Sequence, residues 1–110
     1  MTWRSTGYSI ESFGRAPCRE VLVEGLSVLL FVRGDGPVAL EGLCPHQGGL
    51  LVDGEIRGDR ITCPLHGAAF AIRTGHVLAD PDGVEPPEGA VGPLRSYPTR
   101  LRGGLIEIDL

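Results

Sequence analysis

Two short stretches constrain this chain more than anything else in it: Cys44-Pro45-His46 and, after sixteen intervening residues, Cys63-Pro64-Leu65-His66. Cys and His each occur only three times in 110 residues, yet two of each gather here, in segments bounded by Gly and Pro. Thiolate and imidazole are metal ligands, and two of each delivered by two loops make a four-ligand metal site. The spacer must then fold back on itself to bring the loops to a common point.

The spacer has the chemistry to do so. Asp53-Gly54 is a turn signal, Glu55-Ile56-Arg57 and Arg60-Ile61-Thr62 flank a Gly58-Asp59 turn, and Thr62 runs directly into Cys63. Around this hairpin the chain reads as short strands and tight turns, with no helix-length periodic segment. Tyr8–Phe13 is a candidate first strand, and Glu20–Glu24 is a β-branched run bounded by charges. Ser27–Val32 reads as a strand buried on both faces, and Arg33–Gly36 is a hairpin loop from which Pro37–Leu40 returns antiparallel. Ala69–Ile72 follows the second loop and turns at Arg73-Thr74-Gly75. The segment 79–93 reads as loop, and Leu94–Leu101 and Leu105–Asp109 close the chain around Arg102-Gly103-Gly104. The expected fold is all-β: an antiparallel β-sandwich or barrel carrying a small subdomain of two ligand loops, about residues 43–80, within a single domain over residues 1–110.

Charge and hydropathy narrow the function. A net charge of −4 disfavours nucleic acid, whose phosphates reward clustered cations, and suits a basic protein partner. No N-terminal apolar core of signal-peptide length is present, and the longest apolar run, Leu26–Val32, falls far short of a membrane span. A cytoplasmic, monomeric protein with no membrane partner is expected. In a reducing compartment three cysteines point to metal rather than to disulfides. No dinucleotide fingerprint and no nucleophile–base arrangement stands in the sequence, so the chain reads as a carrier rather than a catalyst.

Equal numbers of thiolates and imidazoles suit either zinc or an iron–sulfur cluster in which two His replace two Cys on one iron. Zinc knuckles pair Cys with Cys, whereas here each loop supplies one of each. A mixed pair per loop suits a two-iron cluster in which each loop must reach both metals. Neutral imidazoles in place of thiolates also reduce the cluster's negative charge and raise its potential above the all-cysteine level.

With these residues the sequence resembles the Rieske iron–sulfur family. Cys44-Pro45-His46 and Cys63-Pro64-Leu65-His66-Gly67 are similar to that family's two-loop motif, and the likeness continues through Phe70, Arg73-Thr74-Gly75 and the closing strands. The resemblance implies a Rieske-type 2Fe-2S cluster, with Cys44 and Cys63 on the inner iron and His46 and His66 on the outer, redox-active one. It also implies a Rieske ferredoxin that passes electrons from a flavoprotein reductase to a terminal oxygenase. The alternatives are a small subunit of a larger reductase, as in NAD(P)H nitrite reductases, and a structural zinc-binding module.

Departures from the family pattern sharpen the expectation. Respiratory members carry an extra cysteine in each loop, joined as a disulfide; those positions fall on Gly49 and Leu65. They also place Ser and Tyr hydroxyls against the cluster and cysteine sulfurs, at positions that fall on Ala68 and Phe70. Hydrogen bonds to sulfur favour the reduced cluster, so their loss places the potential near the low end of the Rieske range, about −150 mV. Outside the loops, Cys18 reads as a buried, idle thiol and His76 as a turn residue. Gln47, Gly48 and Gly49 shape the first loop, and the acidic stretch Asp80–Glu88 is either solvated surface or part of a docking face.

Overall fold

The structure, a computed structural model, describes residues 2–45, 49–64, 67–79 and 92–110. Among the described residues eleven strands form three antiparallel sheets. β1 (Trp3–Ser9), β11 (Leu105–Asp109) and β10 (Thr99–Arg102) make the first, in the order β1-β11-β10. β2 (Arg19–Val23), β3 (Leu26–Arg33), β4 (Gly36–Glu41) and β9 (Ser96–Tyr97) make the second, in that order. β5 (Glu55–Arg57), β6 (Arg60–Thr62), β7 (Ala69–Ala71) and β8 (Val77–Ala79) form the third as a meander. Among the described residues there is no α-helix, only 3-10 turns at Glu11–Phe13 and Leu51–Asp53, and no helix long and apolar enough to cross a membrane.

The apolar run in β3 dictates the layering. Val28, Leu29, Leu30 and Phe31 are all fully buried, and because successive side chains of a strand point to opposite faces, they feed two different cores. Leu29 and Phe31, with Leu40 from β4, join Leu51, Ile61, Phe70 and Ile72 in one cluster. Val28 and Leu30, with Ala39, join Val23, Phe13, Tyr97, Ile106 and Ile108 in the other. The β2-β3-β4-β9 sheet is thus the middle layer, with the β5–β8 meander on one face and the β1-β11-β10 sheet on the other. The expected both-faces-buried strand is observed and is the shared wall of two cores.

Several turns follow from sequence chemistry. The β10–β11 hairpin turns on Gly103 and Gly104, both at positive φ (59° and 82°), between the paired residues Arg102 and Leu105. The chain ends meet: β1 pairs with β11, the Leu110 N–H donates to the Thr2 carbonyl (3.0 Å), and the Thr2 N–H donates to Asp109 Oδ1 (2.7 Å).

Three boundaries differ from the sequence reading. The expected strand Tyr8–Phe13 is instead the end of β1, which starts earlier at Trp3 and stops at Ser9, followed by the 3-10 turn. Two serines cause the break: the Ser12 N–H donates to Ser9 Oγ (3.1 Å), the Ser9 N–H to Ser12 Oγ (2.9 Å), and Ser12 Oγ–H to the Ser9 carbonyl (2.8 Å), offering the backbone an alternative to the sheet. The arm Leu94–Leu101 is split at Pro98, which has no N–H to continue a ladder: Ser96–Tyr97 pairs with β4 and Thr99–Arg102 with β11. Lastly, β8 lies where no strand was expected, too short at three residues for alternation to show.

Candidate metal centre

Both cysteines of the motif leave the ends of strands. Cys63 directly follows β6, and Cys44 follows β4 after Gly42 and Leu43. Each opens a loop closed in the same way. The Cys44 N–H donates to the Gly49 carbonyl (2.9 Å) and the Cys63 N–H to the Ala68 carbonyl (2.7 Å), five residues on in both cases. Just outside these bonds the chain pairs antiparallel, Leu43 with Leu50 and Thr62 with Ala69. The two loops therefore span equal lengths of chain between equivalent closing pairs, although their sequences differ.

The loops are brought together by close backbone packing. Gly42 donates its N–H to the Ser27 carbonyl (3.0 Å) and its carbonyl accepts the Leu51 N–H (3.1 Å); a Cβ there would lie 2.2 Å from Ser27 Oγ. Gly54, which ends the 3-10 turn after the first loop, leaves no room for a Cβ either: it would fall 2.3 Å from the Thr62 carbonyl oxygen and 3.0 Å from that of Leu51. Thr62 immediately precedes Cys63, so Gly54 seats the exit of one loop against the entrance to the other. Asp53-Gly54 is legible in the sequence as a turn; its packing role carries no local signal.

Cys44 and Cys63 are 3% and 2% exposed and belong to one apolar cluster with Leu29, Leu40, Leu51, Ile61, Ala68 and Phe70. Ala68 and Phe70 are fully buried there. No disulfide joins the three cysteines. Two thiols carried by matched loops into one dry cluster are the sulfur half of the donor set that a 2Fe-2S group requires, and the site fits it on that ground. Among the described residues no group of three or more candidate ligands gathers; His46 and His66 lie outside the described residues, as do Gln47, Gly48, Leu65 and the acidic stretch Asp80–Glu88.

The two remaining candidates fall where expected. Cys18 is buried in the same cluster, away from either loop in sequence, and desolvation pushes its thiol up from the ordinary cysteine value. His76 is exposed beyond the β7–β8 turn; its N–H donates to Thr74 Oγ1 (3.2 Å) and its carbonyl accepts the Ala71 N–H (2.8 Å). Beside it, Gly75 at φ 79° accepts the Leu94 N–H (2.9 Å) and would place a Cβ 2.2 Å from the Leu94 carbonyl oxygen, so Leu94 is held against this turn.

A feature with no sequence signal holds the meander to the middle sheet. Arg33, from the β3–β4 hairpin, donates to the Gly58 carbonyl (2.8 Å) and to Asp59 Oδ1 (2.6 Å) in the β5–β6 turn. Arg73, from the β7–β8 turn, bonds Asp35 of the β3–β4 hairpin and lies 3.6 Å from Asp59 Oδ2. Four charges from three turns thus close one network.

Stacked antiparallel sheets with two matched cysteine loops at the ends of β4 and β6 define a two-loop metal-cluster domain. The chain belongs to the Rieske family: the model of the Rieske [2Fe-2S] domain matches residues 8–98. It is 31% identical over 90 residues to the ferredoxin component of the naphthalene 1,2-dioxygenase system of Pseudomonas aeruginosa, covering 82% of this chain and 79% of that one. Its fold is similar to the ferredoxin of carbazole 1,9a-dioxygenase from Nocardioides aromaticivorans IC177, with a TM-score of 0.77, 25% identity and coverage of 98% and 97%. It is likewise similar to a chain in a complex of reduced oxygenase and oxidized ferredoxin in carbazole 1,9a-dioxygenase, with a TM-score of 0.74, 25% identity and coverage of 96% and 91%. Its cofactor is a Rieske-type 2Fe-2S cluster.

Proposed function

We propose that this protein is a one-electron carrier, a Rieske ferredoxin that accepts an electron from a flavoprotein reductase and delivers it to a terminal oxygenase. The reading treats residues 1–110 as one domain, with residues 43–80 as its cluster-binding part. Cys44 and Cys63 hold one iron, and His46 and His66 hold the other. When bound, the cluster supplies a single-electron couple; the chain holds it and controls its surroundings. Cys44 and Cys63 present their sulfurs from a cluster of buried apolar side chains, which keeps water from one side of the site. The paired loop closures at Gly49 and Ala68 hold both cysteines in fixed backbone frames, so that little rearrangement accompanies a change of charge.

The observation that carries this reading is the matched pair of loops delivering two buried thiols to one dry cluster. The relatives support the direction of flow, since they are ferredoxin components of dioxygenase systems. The test is anaerobic reconstitution with iron and sulfide, followed by visible absorption and by paramagnetic resonance of the reduced protein. The reconstituted protein is then mixed with a flavoprotein reductase and a panel of terminal oxygenases of the naphthalene, phenylpropionate and carbazole types. The expected outcome is a coloured protein with the signature of mixed His/Cys ligation that restores turnover of at least one oxygenase. A colourless zinc-loaded protein, or a coloured one that reduces none of the panel, would refute the proposal.

A further inference from the structure

The two cysteine loops are matched in length but not in what holds them. Behind Cys63 stands a backbone ladder between β6 and β7, from the pair Thr62–Ala69 back to Arg60–Ala71. Behind Cys44 stands an isolated pair, Leu43 with Leu50, after which the chain leaves for the 3-10 turn at Leu51–Asp53. The first loop is therefore fixed where its flanking glycines are seated, Gly54 on the exit side and Gly42 on the entry side. Thr62 meets Gly54 with its backbone, but Ser27 meets Gly42 with its side chain, whose Oγ lies 2.2 Å from where a Gly42 Cβ would be. A ladder holds its own register, whereas a seat on a side chain is as fixed as that side chain.

Ser27 is held in turn by a carboxylate. Its Oγ–H donates to Glu20 Oε2 (2.7 Å) across β2 and β3, and both residues are half-buried. The register puts all the parts on one face of the middle sheet. Glu20 stands opposite Leu29, and Leu29 opposite Leu40; Leu29 and Leu40 lie in the core that contains Cys44 and Cys63. Ser27 is two residues from Leu29 and Gly42 two residues from Leu40, so Ser27 and the open side of Gly42 face the cysteines as well. Among the described residues Glu20 forms no ion pair, so no cation draws its carboxylate away from the hydroxyl. A hydrogen bond to an ionised acceptor is stronger than one between neutral groups, and this one selects one rotamer of a side chain that has three.

From this geometry we propose that Glu20 and Ser27 are positioning residues for the first cluster loop, which rests on the carrier reading above, in which Cys44 holds iron. The carboxylate fixes the Ser27 hydroxyl, and the hydroxyl fixes Gly42. Gly42 stands two residues before Cys44 and accepts the Leu51 N–H from beyond the loop (3.1 Å), so it sets where the loop presents its cysteine. The edge strand β2, which lies outside both loops, thereby takes part in holding the redox centre.

The test compares Ser27→Ala, Glu20→Leu, the double variant and Glu20→Gln with the unmodified protein, each loaded with its cluster. The readouts are hydrogen exchange by mass spectrometry in the segments around Cys44 and around Cys63, and the line widths of the reduced protein's paramagnetic resonance. Ser27→Ala and Glu20→Leu should each speed exchange around Cys44 about fivefold, as expected for the loss of one hydrogen bond, and leave the segment around Cys63 unchanged. Each should also broaden the resonance, because Cys44 then takes a wider range of positions. The double variant should do no more than either single one, since both break the same contact. Glu20→Gln, which keeps an acceptor oxygen, should recover most of the loss. The proposal is overturned if exchange and line width are unchanged in both single variants, if both segments accelerate together, if the two effects add, or if Glu20→Gln is as disruptive as Glu20→Leu. Failure of the unmodified protein to assemble a cluster would instead refute the carrier reading, and the same exchange comparison on the metal-free chains would still decide whether this pair holds the loop.

Discussion

At the scale of single residues, position 68 connects loop geometry to redox potential. Ala68 is fully buried, and its carbonyl accepts the Cys63 N–H, so a side chain here stands close to Cys63, a ligand of the cluster in the proposed function. The Rieske resemblance places a sulfur-bonding hydroxyl in higher-potential relatives at this position. Ala68→Ser is expected to raise the midpoint by about 40 mV if the new bond is about 1 kcal/mol stronger in the reduced state. A redox titration of wild type and variant checks this, and an unchanged or lowered midpoint would show that the hydroxyl does not reach sulfur. Cys44 and Cys63 stood out in the sequence because scarce residue types recur there in a pattern that suits a metal, whereas their burial in one apolar cluster needed the fold. Gly54 was legible only as a turn, because what makes it indispensable is Thr62 across the hairpin, a neighbour known only once the chain has folded.

At the scale of elements, hairpins declare themselves and sheet partners do not. Gly58-Asp59 and Gly103-Gly104 turn where their chemistry says they must. The break at Ser9 and Ser12 comes from side chains competing for the backbone, and the crossing at Pro98 from a missing donor, neither of which a hydrophobic pattern records. The network of Arg33, Asp35, Asp59 and Arg73 was equally hidden, since its members are up to 40 residues apart in sequence. It has a pH signature. The hydrogen bond from Arg73 above all, then Asp35's own backbone and the charges of Arg73 and Arg33, hold the Asp35 carboxyl below the usual carboxylate range. A carboxylate whose folded value is depressed stabilises fully above its unfolded value, near 3.8, and loses that contribution as the pH falls through the lower folded value. Chemical denaturation of wild type and Asp35→Asn should therefore show the variant less stable at neutral pH, with the gap closing on acidification below about pH 4. A gap independent of pH would assign the loss to something other than this charge. Asp35, Asp59 and Arg73 are exposed and Arg33 only half-buried, so the effect is modest and should shrink in high salt.

At the scale of the whole molecule, the middle sheet makes the two cores one cooperative unit. β3 contributes Leu29 and Phe31 to the core that holds both cysteines and Val28 and Leu30 to the other, so neither core can open without exposing a face of the same strand. Hydrogen exchange should be slowest in β3 and β4, at the free energy of global unfolding, and faster in the β5–β6 hairpin. Separate, independently protected cores would contradict this. The all-β class and the two-faced burial of β3 were legible because an uninterrupted apolar strand has few other solutions. The assignment of each face to a particular sheet was not, since alternation says that a face is buried and not by what.

The meeting of the chain ends has a practical consequence. Residues 2 and 110 are joined by a backbone hydrogen bond at one edge of the β1-β11-β10 sheet, and this sheet covers the face of the middle layer opposite the one that packs against the cysteines. A tether attached at either end would therefore depart from the same corner, away from the sulfur side of the cluster site. The domain is accordingly suited to being carried on a surface or linked to a second protein from either end while the two cysteine loops face away from the tether.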